Sequence, residues 1–367
     1  MNAQQNNGLL KKINSLSTFT LVLSDGSWEG ELFANGNMQV GIIINIKADT
    51  GNINWPEIVP LSPEQLDSIE LVNKITGEKL SGEWAYSSEP NDYFHQFPRR
   101  GITRDTNLSY GRDATNDDLE PQRKTYWLKT KKIETIEIMA RVTLDGKTFL
   151  SDDFTHKGSH IFVTGRQPII YHSDSLVLKT EENVAHGTYE FKETITIIDM
   201  FGEHPSTSSK YPTWTQNNYY IFPKEDHGFA VHDVEIRNTI NDNDSLKYNY
   251  RRFTHHTEDG RLFLWFLWGA YSTKRKAGAA YRITTITDPA SRGRVKREAT
   301  PQEEIVTTPR TDVVSLSRLC FENPAADFWV DQPDQIPQFK FRDIYGNESV
   351  FLKIIMDKAD FIHLQEG

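Results

Sequence analysis

Apolar and polar residues alternate with a period of two along much of this chain. Between residues 38 and 48, Met38, Val40, Ile42, Ile44 and Ile46 are apolar, while Gln39, Gly41, Asn45 and Lys47 lie between them and Ile43 is the one exception. Successive side chains of a strand point to opposite faces, so this stretch predicts a strand with one buried and one wetter face. Ile136, Ile138, Ala140, Val142 and Leu144 repeat the pattern, as do Val350, Leu352, Ile354 and Met356. Asp25-Gly26 and Asn35-Gly36 separate residues 18–23, residues 28–34 and the strand from Met38. Both dipeptides tolerate positive φ, which predicts a three-stranded antiparallel meander. Asp145-Gly146 predicts a hairpin into residues 148–150, and Gly346-Asn347 joins residues 339–341 to residues 350–356. The alternation changes phase across His232-Asp233, from Phe229 and Val231 to Val234 and Ile236. Either a β-bulge or two separate short strands accounts for that change.

Helix signals are scarce. Ser62-Pro63-Glu64-Gln65 has a capping residue, a proline at the first helical position and a box residue, and predicts about two turns of helix. The expected fold is therefore all-β: two tandem antiparallel β-sandwich domains, Ig-like or jelly-roll-like, with long loops and very little helix. A polar arm over residues 1–15 precedes a first domain over 16–165 and a second over 166–367, divided near Gly165-Arg166-Gln167-Pro168. The first domain carries a long polar loop at 88–124 and the second a basic loop at 288–310. Shorter irregular stretches are expected at 202–217 and 322–337.

Composition changes this picture in three ways. Apolar residues at 37% and aromatics at 11% suffice for a core in each domain. A net charge of −10 disfavours general nucleic-acid binding, which needs a basic face to displace phosphate counterions. The single cysteine, Cys320, can form no intrachain disulfide, as expected of folding in a reducing cytoplasm. The first residues lack a secretory apolar core, so release or export by a non-Sec route is the expectation if the chain leaves the cell.

No phosphate-cradling loop, nucleophile elbow, paired-histidine zinc motif or EF-hand loop is present, and no catalytic residue, cofactor or metal site is expected. His255-His256 near Glu258-Asp259, and Asp152-Asp153 near His156, are the nearest approaches to a ligand set. Neighbouring strand residues diverge, however, and do not converge on one ion. Aromatic residues carry more promise. Tyr211, Trp214, Tyr219 and Tyr220 interleave with Thr213, Gln216, Asn217 and Asn218, and Trp84, Tyr86 and Tyr93 lie near Asn91 and His95. Rings beside amides suit a protein interface, and equally a glycan.

Two further segments stand out. Residues 262–268 (Leu-Phe-Leu-Trp-Phe-Leu-Trp) are apolar on both faces and are followed by Lys274, Arg275 and Lys276. This describes a doubly buried strand, or a membrane or subunit contact through Trp265 and Trp268 with the basic cluster at acidic headgroups. Arg294, Lys296 and Arg297 lie between Pro289 and Pro301, where an exposed loop would be sensitive to trypsin-like proteases. The functional expectation is a non-enzymatic binding or assembly protein whose partner is another protein or a copy of itself (a homo-oligomer). A membrane-active, insecticidal or pore-forming type of effector and a glycan-binding module are the alternatives.

Overall fold

The structure is a computed structural model describing residues 12–52, 54–98, 120–153, 159–224, 228–239, 250–268, 278–280, 283–287, 293–299, 302–304, 310–325, 328–329 and 335–367. It is nearly all β, with one short α-helix among the described residues. The chain divides into two compact units, Met1–Pro168 with Tyr345–Asn347, and Ile169–Ile344 with Glu348–Gly367.

The first unit contains β1 (Ser15–Leu23), β2 (Glu29–Phe33), β3 (Val40–Asp49), β4 (Glu70–Asn73) and β5 (Trp84–Ser87). β6 (Gln122–Thr130), β7 (Thr135–Leu144), β8 (Lys147–Leu150) and β9 (Ile161–Arg166) complete it. One sheet has the order β1-β3-β6-β5, the other β2-β9-β7-β4 with β8 on β7. The period-two residues make the core. Phe19, Leu21 and Leu23 oppose Ile46, Ile44 and Ile42 across the β1–β3 ladder, and all six are buried. The alternating residues of β7 and Ile161 and Val163 of β9 are buried from the other sheet.

Between the sheets' strands runs α1 (Pro63–Asp67). Ser62 Oγ accepts from the Gln65 N–H at 3.3 Å and Gln65 Oε1 accepts from the Ser62 N–H at 2.8 Å, the reciprocal box expected from the sequence. The meander is not formed. β1 and β3 pair directly, and β2 leaves them to pair in parallel with β9, from Glu29↔Phe162 to Phe33↔Arg166. Gly26 and Gly36 do adopt positive φ, +81° and +76°. A reversal dipeptide fixes a turn, not the sheet its next strand joins.

The second unit begins with β10 (Ile170–Tyr171), β11 (Leu176–Thr188), β12 (Phe191–Asp199), β13 (Gly202–Lys210) and β14 (Thr213–Pro223). β15 (Val231–Arg237), β16 (Tyr250–Glu258), β17 (Arg261–Trp268), β18 (Gly278–Ala280) and β19 (Ile283–Thr287) follow. Then come β20 (Gly293–Ala299), β21 (Gln302–Glu304), β22 (Val314–Phe321), β23 (Gln338–Asp343), β24 (Glu348–Ser349), β25 (Leu352–Lys358) and β26 (Phe361–Glu366). The central sheet has the order β11-β14-β22-β17-β16. β17 lies inside it, and its seven residues from Leu262 to Trp268 are all buried.

Leu262, Leu264, Phe266 and Trp268 pack with Phe191, Ala299, Phe328 and Trp329. On the opposite face, Trp265 and Leu267 pack with Phe339 and Phe341 of β23 and Leu352 and Ile354 of β25. That double burial explains why the segment shows no alternation. A register shift between Val231 and Asp233 marks the bulge in β15.

Where irregular chain is expected at 202–217, residues 202–210 and 213–217 are strand; so are residues 122–124 at the end of the 88–124 loop, and 293–299 and 302–304 within the 288–310 loop. β20 pairs with β12 along Gly293–Ala299 and with β19 along Val295–Ala299, so Arg294, Lys296 and Arg297 belong to a strand and not to a loop. Lys274, Arg275, Lys276, His156 and most of the 88–124 loop lie outside the described residues.

Candidate functional site

The sheet β13-β12-β20-β19 carries the candidate site. β12 and β13 pair residue for residue from Phe191↔Lys210 to Asp199↔Gly202. Phe191 and Ala299, opposite each other at one end, are buried in the core and anchor the hairpin there. Toward the other end burial falls away. Ile195 and Ile197 are exposed on one face, with Val295 opposite Ile195. The other face carries Thr194, Thr196 and Ile198 beside Lys296 and Arg294, following strand alternation.

The turn joining the two strands is Met200-Phe201, 90% and 84% exposed. Asp199 holds it: Oδ1 accepts from the Phe201 N–H at 2.7 Å and lies 3.2 Å from His204 Nε2. Gly202 follows at φ +130°, a backbone state that side chains rarely adopt. Ion pairs brace the sheet below, Arg297–Glu193 at 2.7 Å and Arg294–Glu203 at 3.5 Å, and Thr194 and Thr207 hydroxyls meet at 2.9 Å. Single exposed apolar side chains are ordinary, but this one hairpin exposes four, Ile195, Ile197, Met200 and Phe201. Covering each would be worth about 1.5–3 kcal/mol before ordering costs.

The rings singled out from the sequence mostly lie elsewhere. Trp84 is buried in β5, its Nε1 donating to Glu134 Oε1 at 2.9 Å. Tyr86 is half-buried, its hydroxyl accepting from the Leu71 N–H at 3.3 Å; burial pushes its pKa up. Tyr93 is half-buried beside Asn91. Trp214, Tyr219 and Tyr220 are buried in β14, Tyr219 against Trp265 with centroids 4.7 Å apart and Tyr220 donating to Glu181 at 2.5 Å. Trp265 donates to the Ala359 carbonyl at 3.1 Å and Trp268 to Ser317 Oγ at 3.0 Å. Of the seven candidate binding rings, Tyr211 alone is largely exposed.

The amides interleaved with those rings are part of the same interior. Ser317 Oγ and Gln216 Nε2 both donate to Asn218 Oδ1 at 2.8 Å, and all three residues are buried. Asp152 lies 3.1 Å from His160 Nδ1 and 3.4 Å from Lys74 Nζ, and Glu258 accepts from the Ala359 N–H at 3.1 Å. Among the described residues no cluster of three or more His, Cys, Asp or Glu side chains is placed to hold a metal ion. No helix among them is long and apolar enough to cross a membrane.

The hairpin tip is invisible to a reading that follows aromatic density. Its signal was the β-branched alternation Thr194-Ile195-Thr196-Ile197 followed by Asp199 and Gly202. Trp55 is a further exposed ring, outside the aromatic segments of the sequence. It is 81% exposed, on a loop turned by Asn52, whose Oδ1 accepts from the Asn54 and Trp55 N–H groups at 3.0 and 3.3 Å.

The fold and this surface define an all-β chain of two compact units, one bearing a sheet with an apolar tip. No family model matches the chain, and no curated protein matches it. Among solved structures, it is similar to the C-terminal domain of the Streptococcus pyogenes antigen I/II-family protein AspA, at 8% identity over 94% of this chain and 99% of that one, with a TM-score of 0.21. A score that low establishes no shared arrangement of strands.

Proposed function

We propose that this chain is a non-enzymatic binding or assembly protein that docks onto another macromolecule through the β12–β13 tip. The observation carrying this reading is the exposure of Met200 and Phe201 on a turn pinned by Asp199. A rigid turn loses little freedom on docking, so more of the apolar burial appears as affinity. A membrane surface is the second reading, and the same two side chains favour it: Met and Phe at a hairpin end can enter the interface without moving β17 from the core.

The test uses full-length protein and the Met200→Ser/Phe201→Ser double variant. Association is followed by light scattering for copies of the chain, by flotation with anionic and zwitterionic vesicles, and by a glycan array. The double variant should keep the wild-type melting temperature and lose whichever association the wild type displays. Unchanged association would remove the tip from the mechanism, and turnover in a broad hydrolase screen would overturn the non-enzymatic reading.

A further inference from the structure

We infer that the occupant of this surface is a second copy of the chain, joined through the outer edge of β13 in an antiparallel two-fold pairing. The inference rests on the docking role proposed above and names its partner. β13 ends its sheet: among the described residues no strand pairs with its other side, and all nine of its residues are exposed. Such an edge offers a row of backbone donors and acceptors to another strand.

The sequence around this edge has a centre. Phe201 stands five residues before Ser206 and Tyr211 five residues after it, and the two are 84% and 63% exposed. A two-fold axis at Ser206 therefore sets Phe201 of each copy opposite Tyr211 of the other, twice. The same register sets Gly202 opposite Lys210, Glu203 opposite Ser209, His204 opposite Ser208 and Pro205 opposite Thr207. No like charges oppose one another, which an edge pairing must avoid. Ile195 and Ile197 pair with Ser206 and His204 in the β12–β13 ladder, so in the joined sheet those of both copies lie on the face that carries Ser206.

Complete covering of the four rings, at about 150–250 Å² each, sets an upper limit of roughly 600–1,000 Å² before any contribution from the ladder. With the ladder this approaches the about 1,200 Å² at which specific interfaces begin. Pro205 lacks an N–H, and on an edge strand that missing donor faces outward. The pairing is therefore weakened at two positions and sensitive to concentration. Against an anionic membrane the tip is less well matched, since Asp199 and Glu203 flank Met200 and Phe201.

Light scattering on the full chain across a concentration series should show a rise from one chain to two. Phe201→Ser/Tyr211→Ser should raise the dimer dissociation constant about tenfold or more. Pro205→Thr should lower it by restoring a donor. Ser206→Cys should cross-link into a dimer on oxidation, because residue 206 meets its own copy, whereas Ser208→Cys, opposite His204, should not. Cys320 is buried and does not compete.

A wild type that stays monomeric throughout, or Ser208→Cys cross-linking as readily as Ser206→Cys, overturns the pairing. If the wild type is monomeric yet binds vesicles, glycan or another protein through Met200 and Phe201, only the second copy is lost. If the Met200→Ser/Phe201→Ser variant changes nothing in any assay, the docking role itself fails.

Discussion

Tyr171 and Asp343 are both fully buried in the second unit, and a hydrogen bond joins them. The Tyr171 hydroxyl donates to Asp343 Oδ2 at 2.5 Å and accepts from the Phe229 N–H at 3.2 Å. Burial, with Asp343 beside it, pushes the phenol's pKa far up, so the hydroxyl keeps its proton and remains a donor. Tyr171→Phe removes both hydrogen bonds, the one given to Asp343 and the one taken from the Phe229 N–H. The expected loss is about 1–3 kcal/mol, read as a lower urea midpoint with an unchanged slope. His95 supplies a pH dependence. Its ring lies 4.3 Å from that of Trp127, and burial lowers its pKa below the ordinary 6.5. As pH falls, the unfolded chain takes up this proton before the folded one does. Stability from His95 is thus complete above the ordinary value and declines as pH drops toward the folded one. His95→Phe should flatten the fall in urea midpoint between about pH 7.5 and 5.5. The fork of Arg141 on Glu70, at 2.8 and 3.2 Å, holds that carboxyl below its ordinary value, so its contribution is lost only in more acidic solution.

At the scale of elements, β17 and the β12–β13 hairpin have opposite relations to solvent, and substitutions should separate them. Phe266 packs among Leu264, Trp268 and their neighbours, so Phe266→Ala should cost about 3–5 kcal/mol in urea unfolding. Met200→Ser should change stability by less than about 0.5 kcal/mol, because nothing covers Met200. β20 makes a third contrast. Its residues Val295–Ala299 are paired on both edges, so native trypsin should leave the bonds after Lys296 and Arg297 intact. Cleavage there in folded protein would show that the strand is not held. Strands with one wet and one buried face, such as β3 and β7, were plain in the sequence because burial itself writes the alternation. β17 was ambiguous because both of its faces are covered, which erases the period. β13 and β20 were missed for the opposite reason. β13 is exposed throughout and β20 is buried only at Ala299, so their side chains carry little apolar signal and backbone pairing defines them. The aromatic residues misled for a related cause. Rings beside amides in β14 alternate between two covered faces, so Trp214, Gln216 and Asn218 are interior, and only Tyr211, ahead of the strand, is open to solvent.

At the scale of the whole molecule, each compact unit closes a core of its own. In the first, Phe19, Leu21, Ile44, Ile138 and Val163 are all essentially inaccessible. In the second, the central sheet is covered on one face by the cluster around Phe266 and on the other by the cluster around Trp265. A unit with a separate core unfolds as a separate cooperative block unless an interface locks it to its neighbour. We therefore expect two calorimetric transitions. Ile44→Ala, which opens a cavity in the first unit, should lower one of them by several degrees and leave the other in place, and Phe266→Ala should do the reverse. Measuring hydrogen exchange on the same two variants assigns each transition to its residues. A single transition that both substitutions shift equally would make the chain one cooperative body, and the two cores would then have to be treated as a single source of stability.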